Sequence, residues 1–178
     1  SDDDGAFRMS VGMGAVEPGA RHEDTWSGFL IGVGGGDVDF RISALSHHWP
    51  STDGGLIVAV DGTGQIVVRD NSENHGYTGP NPNIPLEHWP LIQADQTEVS
   101  GEVGNDMFLA AQAEPDGDAY SMIVTLLDGV TGNERARAWY SGIDPEHMTG
   151  NVALVSHRSP AAADGAAERG FCALARVP

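Results

Sequence analysis

The chain contains no lysine and a single cysteine, and both shortages carry information. With Cys172 alone, the chain forms neither an internal disulfide nor a zinc site made of several cysteines. Cys172 lies in an apolar run, where a buried, unreactive thiol is the expected state. All nine basic residues are arginine, and 26 acidic residues give a formal net charge of −17. Such a charge repels phosphate backbones and anionic lipids, which argues against nucleic acid and membrane surfaces as partners, and it suits solubility in high salt.

Long hydrophobic runs are also missing. No stretch approaches the roughly 18 apolar residues that a membrane-spanning helix needs. The first residues, SDDDGAFRMS, lack the basic and apolar pattern of a signal peptide, as the processed end of a mature protein also would. A length of 178 residues fits one domain with a real core, and no spacer of low complexity divides it. We therefore predict a single domain over residues 1–178.

What the sequence does contain is a series of short β-prone segments separated by Gly, Asp, Asn and Pro. In the first segment, 7–16, Phe7, Met9, Val11 and Met13 alternate with smaller or polar residues. About ten more segments follow, and no helical stripe is longer than a turn or two. The predicted strands are 7–16, 26–34, 39–46, 55–60, 65–70, 98–103, 107–114, 120–128, 135–141, 151–157 and 170–177. This pattern predicts an all-β chain folded as a two-sheet antiparallel jelly-roll sandwich.

Two reversals within this series are well specified. In residues 55–70, GLIVAVDGTGQIVVRD, the residues Asp-Gly-Thr-Gly lie between two apolar segments. In residues 126–133, LLDGVTGN, an Asp-Gly pair again follows an apolar segment and precedes the next strand. Glycine accepts a positive φ without strain, so the chain can reverse within a few residues. Both stretches predict β-hairpins.

The segment 71–92 interrupts the pattern with four prolines, which are incompatible with a helix or a central strand. We predict a long loop there. Loops of this length inside a compact domain are commonly functional, and this one carries His75, Tyr77, His88 and Trp89. The alternative is a strap that covers an edge or apolar side chains of the sandwich.

Several of these segments together resemble the concanavalin A-like lectin/glucanase superfamily in its laminin-G-like form. They are WSGFLIGVG, VAVDGTGQIVVRD, YSMIVTLLDGVTGNERARAWY and the closing pair GNVALVSH and GFCALARV. The stretch from WSGFLIGVG to IVVRD, followed by GNVALVSH, is also similar to the domain that precedes the catalytic domain in some bacterial PhoD-like alkaline phosphatases. This resemblance implies an accessory domain that is secreted or at the cell surface, with phosphatase chemistry in sequence beyond this chain.

Catalytic patterns are weak in the sequence. The Glu-x-Asp-x-x-Glu pattern of the glucanases is missing, and Asp37 and Asp39 are followed in step by Arg41 rather than by a third acid. His47 and His48 are adjacent, so in a strand they point to opposite faces and cannot serve one metal ion without a bend. No Gly-x-Ser-x-Gly or Gly-Asn-His-Asp motif occurs. We therefore expect no catalytic residues.

Carbohydrate binding requires an aromatic face and a few polar groups, and these are available. The candidate ligand-binding residues are Trp49, Trp89, His47, Tyr77 and Asn83. Trp26 and Trp139 are interpreted instead as fillers of the core or of an edge, and of the consecutive Trp139 and Tyr140 only one can face a given side of a sheet. Calcium is the other ligand considered, because oxygen ligands occur in 69–74 and at Asp106, Asp116 and Asp118, but no spaced Asp/Asn loop with a terminal bidentate Glu is present. No other cofactor is predicted, and the metal site is unknown.

The sequence thus favours a non-catalytic recognition or accessory module that binds a glycan or another small ligand. The alternative is a structural or assembly module, in which the Pro-rich loop or a terminal strand contacts a partner protein or a second copy. A hydrolase is the least favoured function, because paired carboxylates and metal motifs are missing.

Overall fold

The computed structural model describes residues 6–15, 26–33, 55–71, 90–104, 106–157 and 169–177. These ranges hold ten β-strands and one short 3₁₀ helix, Pro145–Met148. The strands are β1 Phe7–Ala15, β2 Trp26–Val33, β3 Leu56–Asp61, β4 Ile66–Asp70, β5 Gln96–Val99, β6 Met107–Asp116, β7 Ala119–Asp128, β8 Glu134–Ile143, β9 Asn151–His157 and β10 Arg169–Val177. The prediction of an all-β chain is confirmed.

Within the described ranges the strands form two antiparallel sheets. One sheet has six strands in the order β10-β1-β6-β7-β8-β5, and the other has four in the order β4-β3-β2-β9. A single cluster of buried side chains takes members from both sheets. The two sheets therefore pack face to face around a shared core, as a β-sandwich does.

Alternation along the strands of the six-stranded sheet decides which side chains enter that core. In β6, Met107, Leu109, Ala111 and Ala113 are buried, while Phe108 between them is 36% exposed. In β1, Met9, Val11 and Met13 are buried as the sequence predicts, and Phe7 packs partly buried against them. Because successive side chains of a strand point to opposite faces, this sheet has one face in the core and one face toward solvent.

The four-stranded sheet differs, because β2 and β3 are buried on both faces. Phe29, Ile31 and Val58 belong to the core between the sheets, whereas Leu30 and Ile57 face the other way and are also fully buried. Unbroken apolar runs such as Leu56–Val60 are typical of strands buried on both sides. The open sheet surface of the described residues is therefore the outer face of the six-stranded sheet.

Both predicted hairpins are present, as β3–β4 and β7–β8. The strand predicted at 98–103 is displaced, since β5 occupies Gln96–Val99 and the residues after it do not continue the strand. The Val-Ser-Gly-Glu-Val pattern suggested a longer strand, but backbone pairing with β8 sets the boundary earlier. The strand predicted at 39–46 lies outside the described residues.

The described end of the Pro-rich segment runs along the edge of β4. The Asp70 N–H donates to the Pro90 carbonyl at 2.9 Å, and the Ile92 N–H donates to the Val68 carbonyl at 2.9 Å. Residues 90–92 thus cover that edge, as the strap interpretation expects for this part of the segment. The long loop at 71–92 and the single domain over 1–178 stay predictions, because 72–89 lies outside the described residues.

Candidate ligand-binding site

The outer face of β8 carries a partly exposed tryptophan. Ala136, Ala138 and Tyr140 alternate into the core, so Arg137 and Trp139 project from the opposite face. The pattern Arg-Ala-Arg-Ala-Trp-Tyr produces this arrangement, because small apolar residues at every second position fit the core and the bulky residues between them stay outside. Of the two positions that the sequence analysis allows for Trp139, core or edge, the core position is therefore wrong, while Tyr140 is a core residue.

The side chains that lie across the neighbouring strands from Trp139 are apolar or carry an amide group. Ile123 of β7 lies directly opposite Trp139 on one side, and Gln96 of β5 lies opposite on the other. Gln112 of β6 lies opposite Ile123 and extends the row. Directly opposed residues of antiparallel strands share a face, so these four side chains form one band across the sheet. Ile123 is 37% exposed, which makes the band accessible to a ligand.

A second row of polar groups borders this band. Glu98 lies opposite Arg137, one step from the tryptophan row. The Arg137 guanidinium carbon is 5.6 Å from the centroid of the Trp139 ring, within range of a cation–π interaction, and the guanidinium also donates to the Glu134 carboxylate. We call Gln96, Glu98, Gln112, Ile123, Arg137 and Trp139 the Trp139 face.

The amide side chains of the Trp139 face are held by hydrogen bonds. Gln96 Nε2 donates to Glu98 Oε1 at 2.8 Å, and Gln112 Nε2 donates to Glu114 Oε1 at 2.7 Å. Arg8 Nη2 donates to Gln112 Oε1 at 2.7 Å. Each amide and each carboxylate keeps further hydrogen-bonding capacity, since an amide has two N–H groups and each of these oxygens accepts more than one bond. A hydroxylated ligand would therefore meet donors and acceptors whose positions are already fixed.

On the other side of β5 lies a groove of about 510 Å³ between the two sheets, which we call the edge groove. Its floor is the inner face of β5 and β8, formed by Thr97, Val99, Ala136 and Ala138, and its walls are the β3–β4 turn at 63–66 and residues 101–103. This volume falls within the usual range of ligand pockets. Apart from Thr97 the floor is apolar, and the rim is polar, so the groove suits side chains or small molecules with an apolar part.

Two Asp-Gly turns are built on the hydrogen bonds of an aspartate, and the β3–β4 turn is the one that lines the groove. In the β3–β4 turn, Asp61 Oδ1 accepts from Thr63 N at 2.8 Å, Thr63 Oγ1 at 2.6 Å and Gln65 N at 3.0 Å. Gly64 has φ +89°, and a Cβ there would lie 2.9 Å from the Val103 side chain. A side chain at residue 64 would thus press the turn away from the opposite wall, which explains why glycine stands there.

The β7–β8 turn is built in the same manner around Asp128. Its Oδ1 accepts from Val130 N at 3.0 Å and Thr131 N at 2.8 Å, and its Oδ2 forms an ion pair with Arg135 Nη2 at 2.9 Å. The backbone N–H of Thr131, followed by the Arg135 guanidinium, holds the pKa of Asp128 well below its usual range. The Asp128 carboxylate is therefore ionised and already bound, by hydrogen bonds within the turn and by the ion pair with Arg135.

The five residues that the sequence selects for ligand binding, Trp49, Trp89, His47, Tyr77 and Asn83, all lie outside the described residues, so their role stays a prediction. The same holds for Asp37, Asp39, Arg41 and His48, and for the side chains of Cys172, Ser156 and His157.

The structure describes Trp26 and Trp139, the two tryptophans that the sequence does not favour as ligand-binding residues. Trp26 is buried, as predicted, but it lies on the outer side of the four-stranded sheet rather than in the core cluster. Trp139 lies on the outer face of the six-stranded sheet. The alternation of Arg and Ala before Trp139 was the available signal for an outward-facing tryptophan.

The described residues contain no group of three or more His, Cys, Asp or Glu side chains arranged to hold a metal ion. Among the same residues, no helix has both the length and the apolar character to cross a bilayer. Comparisons with protein-family models, with curated proteins and with solved structures found no match.

Proposed function

We propose that this chain is a non-catalytic recognition module that binds carbohydrate on the Trp139 face. The observation that supports the proposal is the position of Trp139, partly exposed on an open sheet face in one row with Ile123, Gln96 and Gln112. An indole packs against the apolar face of a pyranose ring, while amides and carboxylates bind its hydroxyl groups. The Trp139 face offers both kinds of contact within one band.

The charge of the chain limits the class of glycan. A net charge of −17 repels uronate-rich or sulfated polysaccharides, and Glu98 adds negative charge next to Trp139. Arg137 does not offset this effect, since it is paired with Glu134. The proposed ligands are therefore neutral polysaccharides or oligosaccharides.

In this proposal the β-sandwich is of the concanavalin A-like, laminin-G-like type, and the chain acts as a secreted or cell-surface accessory domain. The face-to-face sheets, the hairpins at Asp61 and Asp128, and the surplus of acid support that assignment. Reading the gene downstream of this segment tests the accessory role, because a metallophosphoesterase domain there would identify the activity that this domain accompanies.

Affinity gel electrophoresis against a panel of neutral polysaccharides tests the binding itself. We expect retardation by at least one polysaccharide, with that polysaccharide recovered uncleaved. Trp139→Ala should weaken binding by about fivefold or more, since a stacking contact is worth about 1 kcal/mol. Phe108→Ala is the matched control, because Phe108 is an aromatic residue on the same outer face, four residues along β6 from the Trp139 row.

Binding that survives Trp139→Ala unchanged would contradict the proposal. If Trp89→Ala abolished that binding, the ligand site would lie on the residues that the sequence selected. Failure of every neutral polysaccharide to retard the wild-type protein would also contradict it.

A further inference from the structure

Within the part of the chain that the structure describes, β5 is an edge strand, and no strand pairs with its outer side. It is the last strand of the six-stranded sheet within the described ranges, and all four of its residues are exposed. The edge of β4, by contrast, is covered by residues 90–92. Edge strands with unpaired backbone groups are templates for pairing with another chain. The open edge at β5 is therefore a candidate interaction surface.

The register identifies which backbone groups are open. Ser100 N donates to the Arg135 carbonyl at 2.8 Å, so Ser100 and Arg135 are a hydrogen-bonded pair. Because hydrogen bonding alternates along antiparallel strands, Glu98 and Gln96 direct their N–H and C=O groups to β8 as well. Thr97 and Val99 must then direct their N–H and C=O groups to the open edge.

The edge groove lies directly under this edge. Val99 is 79% exposed although it is a branched apolar residue, and its side chain lies beside the groove with Ala136 opposite it on β8. A strand added outside β5 would place every second side chain on the groove side. Val99, Val103 and Ile66 would then lose contact with water.

Charge selects the occupant. Glu98 and Glu102 line the groove, and the two nearby arginines are already neutralised, Arg135 by Asp128 and Arg137 by Glu134. A second copy of this chain carries the same net charge of −17, which disfavours self-pairing. The charges favour a partner that supplies cationic side chains.

We propose that β5 accepts an extended cationic segment of a partner protein, which pairs with Thr97 and Val99 as an additional strand and places alternate side chains in the edge groove. This is strand addition, in which main-chain hydrogen bonds give affinity and side-chain contacts give selectivity. The proposal does not depend on carbohydrate binding, because the main-chain pairing uses the edge of β5 and the side-chain contacts use its inner side; Glu98 is the residue that the two proposals share.

The test uses an end-blocked peptide of alternating Lys and Val, titrated into the whole chain and followed through backbone amide resonances and fluorescence anisotropy. We expect saturable binding that shifts the amide resonances of Thr97 and Val99. An end-blocked Glu–Val peptide and a Lys–Val peptide methylated on alternate backbone nitrogens are the probe controls. Both should fail to bind, the first because of its charge and the second because it cannot form the ladder.

Substitutions at residue 99 separate backbone pairing from side-chain contact. Val99→Pro removes the outward N–H without removing a bond to β8, and it should weaken binding of the Lys–Val peptide by about tenfold or more. Val99→Thr keeps the outward N–H and the branched shape, so it should bind with an affinity close to that of the wild type. If Val99→Pro fails to fold, the methylated peptide on the wild-type chain still decides the question.

Charge variants complete the test. Glu98→Gln combined with Glu102→Gln should weaken binding about threefold to tenfold, whereas Glu114→Gln combined with Glu146→Gln should leave it unchanged. Equal binding of the acidic and basic peptides, or equal binding of the methylated peptide, would overturn the proposal. So would the absence of binding by the Lys–Val peptide, or pairing of β5 with a second copy of the chain.

Discussion

Truncating two neighbouring residues of β6 tests the alternation on which the sandwich depends. Leu109 is fully buried in the core, and Phe108 beside it is 36% exposed on the outer face. Leu109→Ala removes buried contacts and leaves a cavity, with an expected loss of about 3 kcal/mol in the free energy of unfolding. Phe108→Ala removes the larger side chain, but from a site where water replaces much of the contact, so we expect a loss of about 1.5 kcal/mol.

Urea unfolding at fixed pH measures both values. The slope of free energy against urea should stay the same in the two variants, so that the midpoints report stability alone. For a chain of this size, Leu109→Ala should also lower the melting temperature by about 6–12 °C. A one-residue shift in register exchanges the two faces of a strand. A greater loss for Phe108→Ala than for Leu109→Ala would therefore refute the assigned register of β6.

Three further predictions concern single sites. Asp128→Asn should lower the melting temperature at neutral pH. Because the folded pKa of Asp128 is depressed, the stability that Asp128 contributes is present above the unfolded pKa of about 3.9 and is lost below it. The melting temperatures of the wild type and of Asp128→Asn should therefore differ above about pH 4 and converge in acid. Asp118→Asn, in the exposed β6–β7 turn, should show no such difference from the wild type. Burial raises the pKa of Tyr140 to about 12, so stability should fall as pH rises from about 10 to 12, and Tyr140→Phe should remove that fall in alkaline urea titrations. Gly28→Ala should lower the free energy of unfolding by about 3 kcal/mol or more, because the new Cβ would lie 2.0 Å from the Val58 carbonyl oxygen. Gly104→Ala is the control in the same unfolding assay and should be tolerated, because its new Cβ would have its nearest neighbour at 3.7 Å.

The fold could be predicted from local patterns, and the exception at β5 has a non-local cause. Met9, Val11 and Met13 alternate with small or polar residues, and Asp-Gly turns separate the apolar runs of both predicted hairpins, so period and turn chemistry agree there. At β5 the chain has few apolar residues, and its boundary depends on pairing with β8, which is distant in sequence. Strand pairing of that kind leaves no periodic signal in the strand itself.

The candidate site was harder to predict, because it is assembled from four strands. Gln96, Gln112, Ile123 and Trp139 come together only through the registers of β5, β6, β7 and β8. The proline that follows Trp49 and Trp89 favoured these two residues as exposed tryptophans. The exposure of Trp139 follows instead from the alternation of alanine in β8. Sequence spacing indicates the face of a residue but not its cross-strand neighbours.

The proposed function requires that a neutral glycan binds the outer face of the six-stranded sheet at Trp139. Titration of a retained oligosaccharide into isotopically labelled protein tests it most directly, with chemical shifts followed for backbone amides and for the Trp139 indole N–H. We expect saturable shifts centred on Trp139, Ile123 and Gln96, with Phe108 and Leu127 unaffected. Saturable binding that leaves the Trp139 indole and its row unperturbed would contradict it.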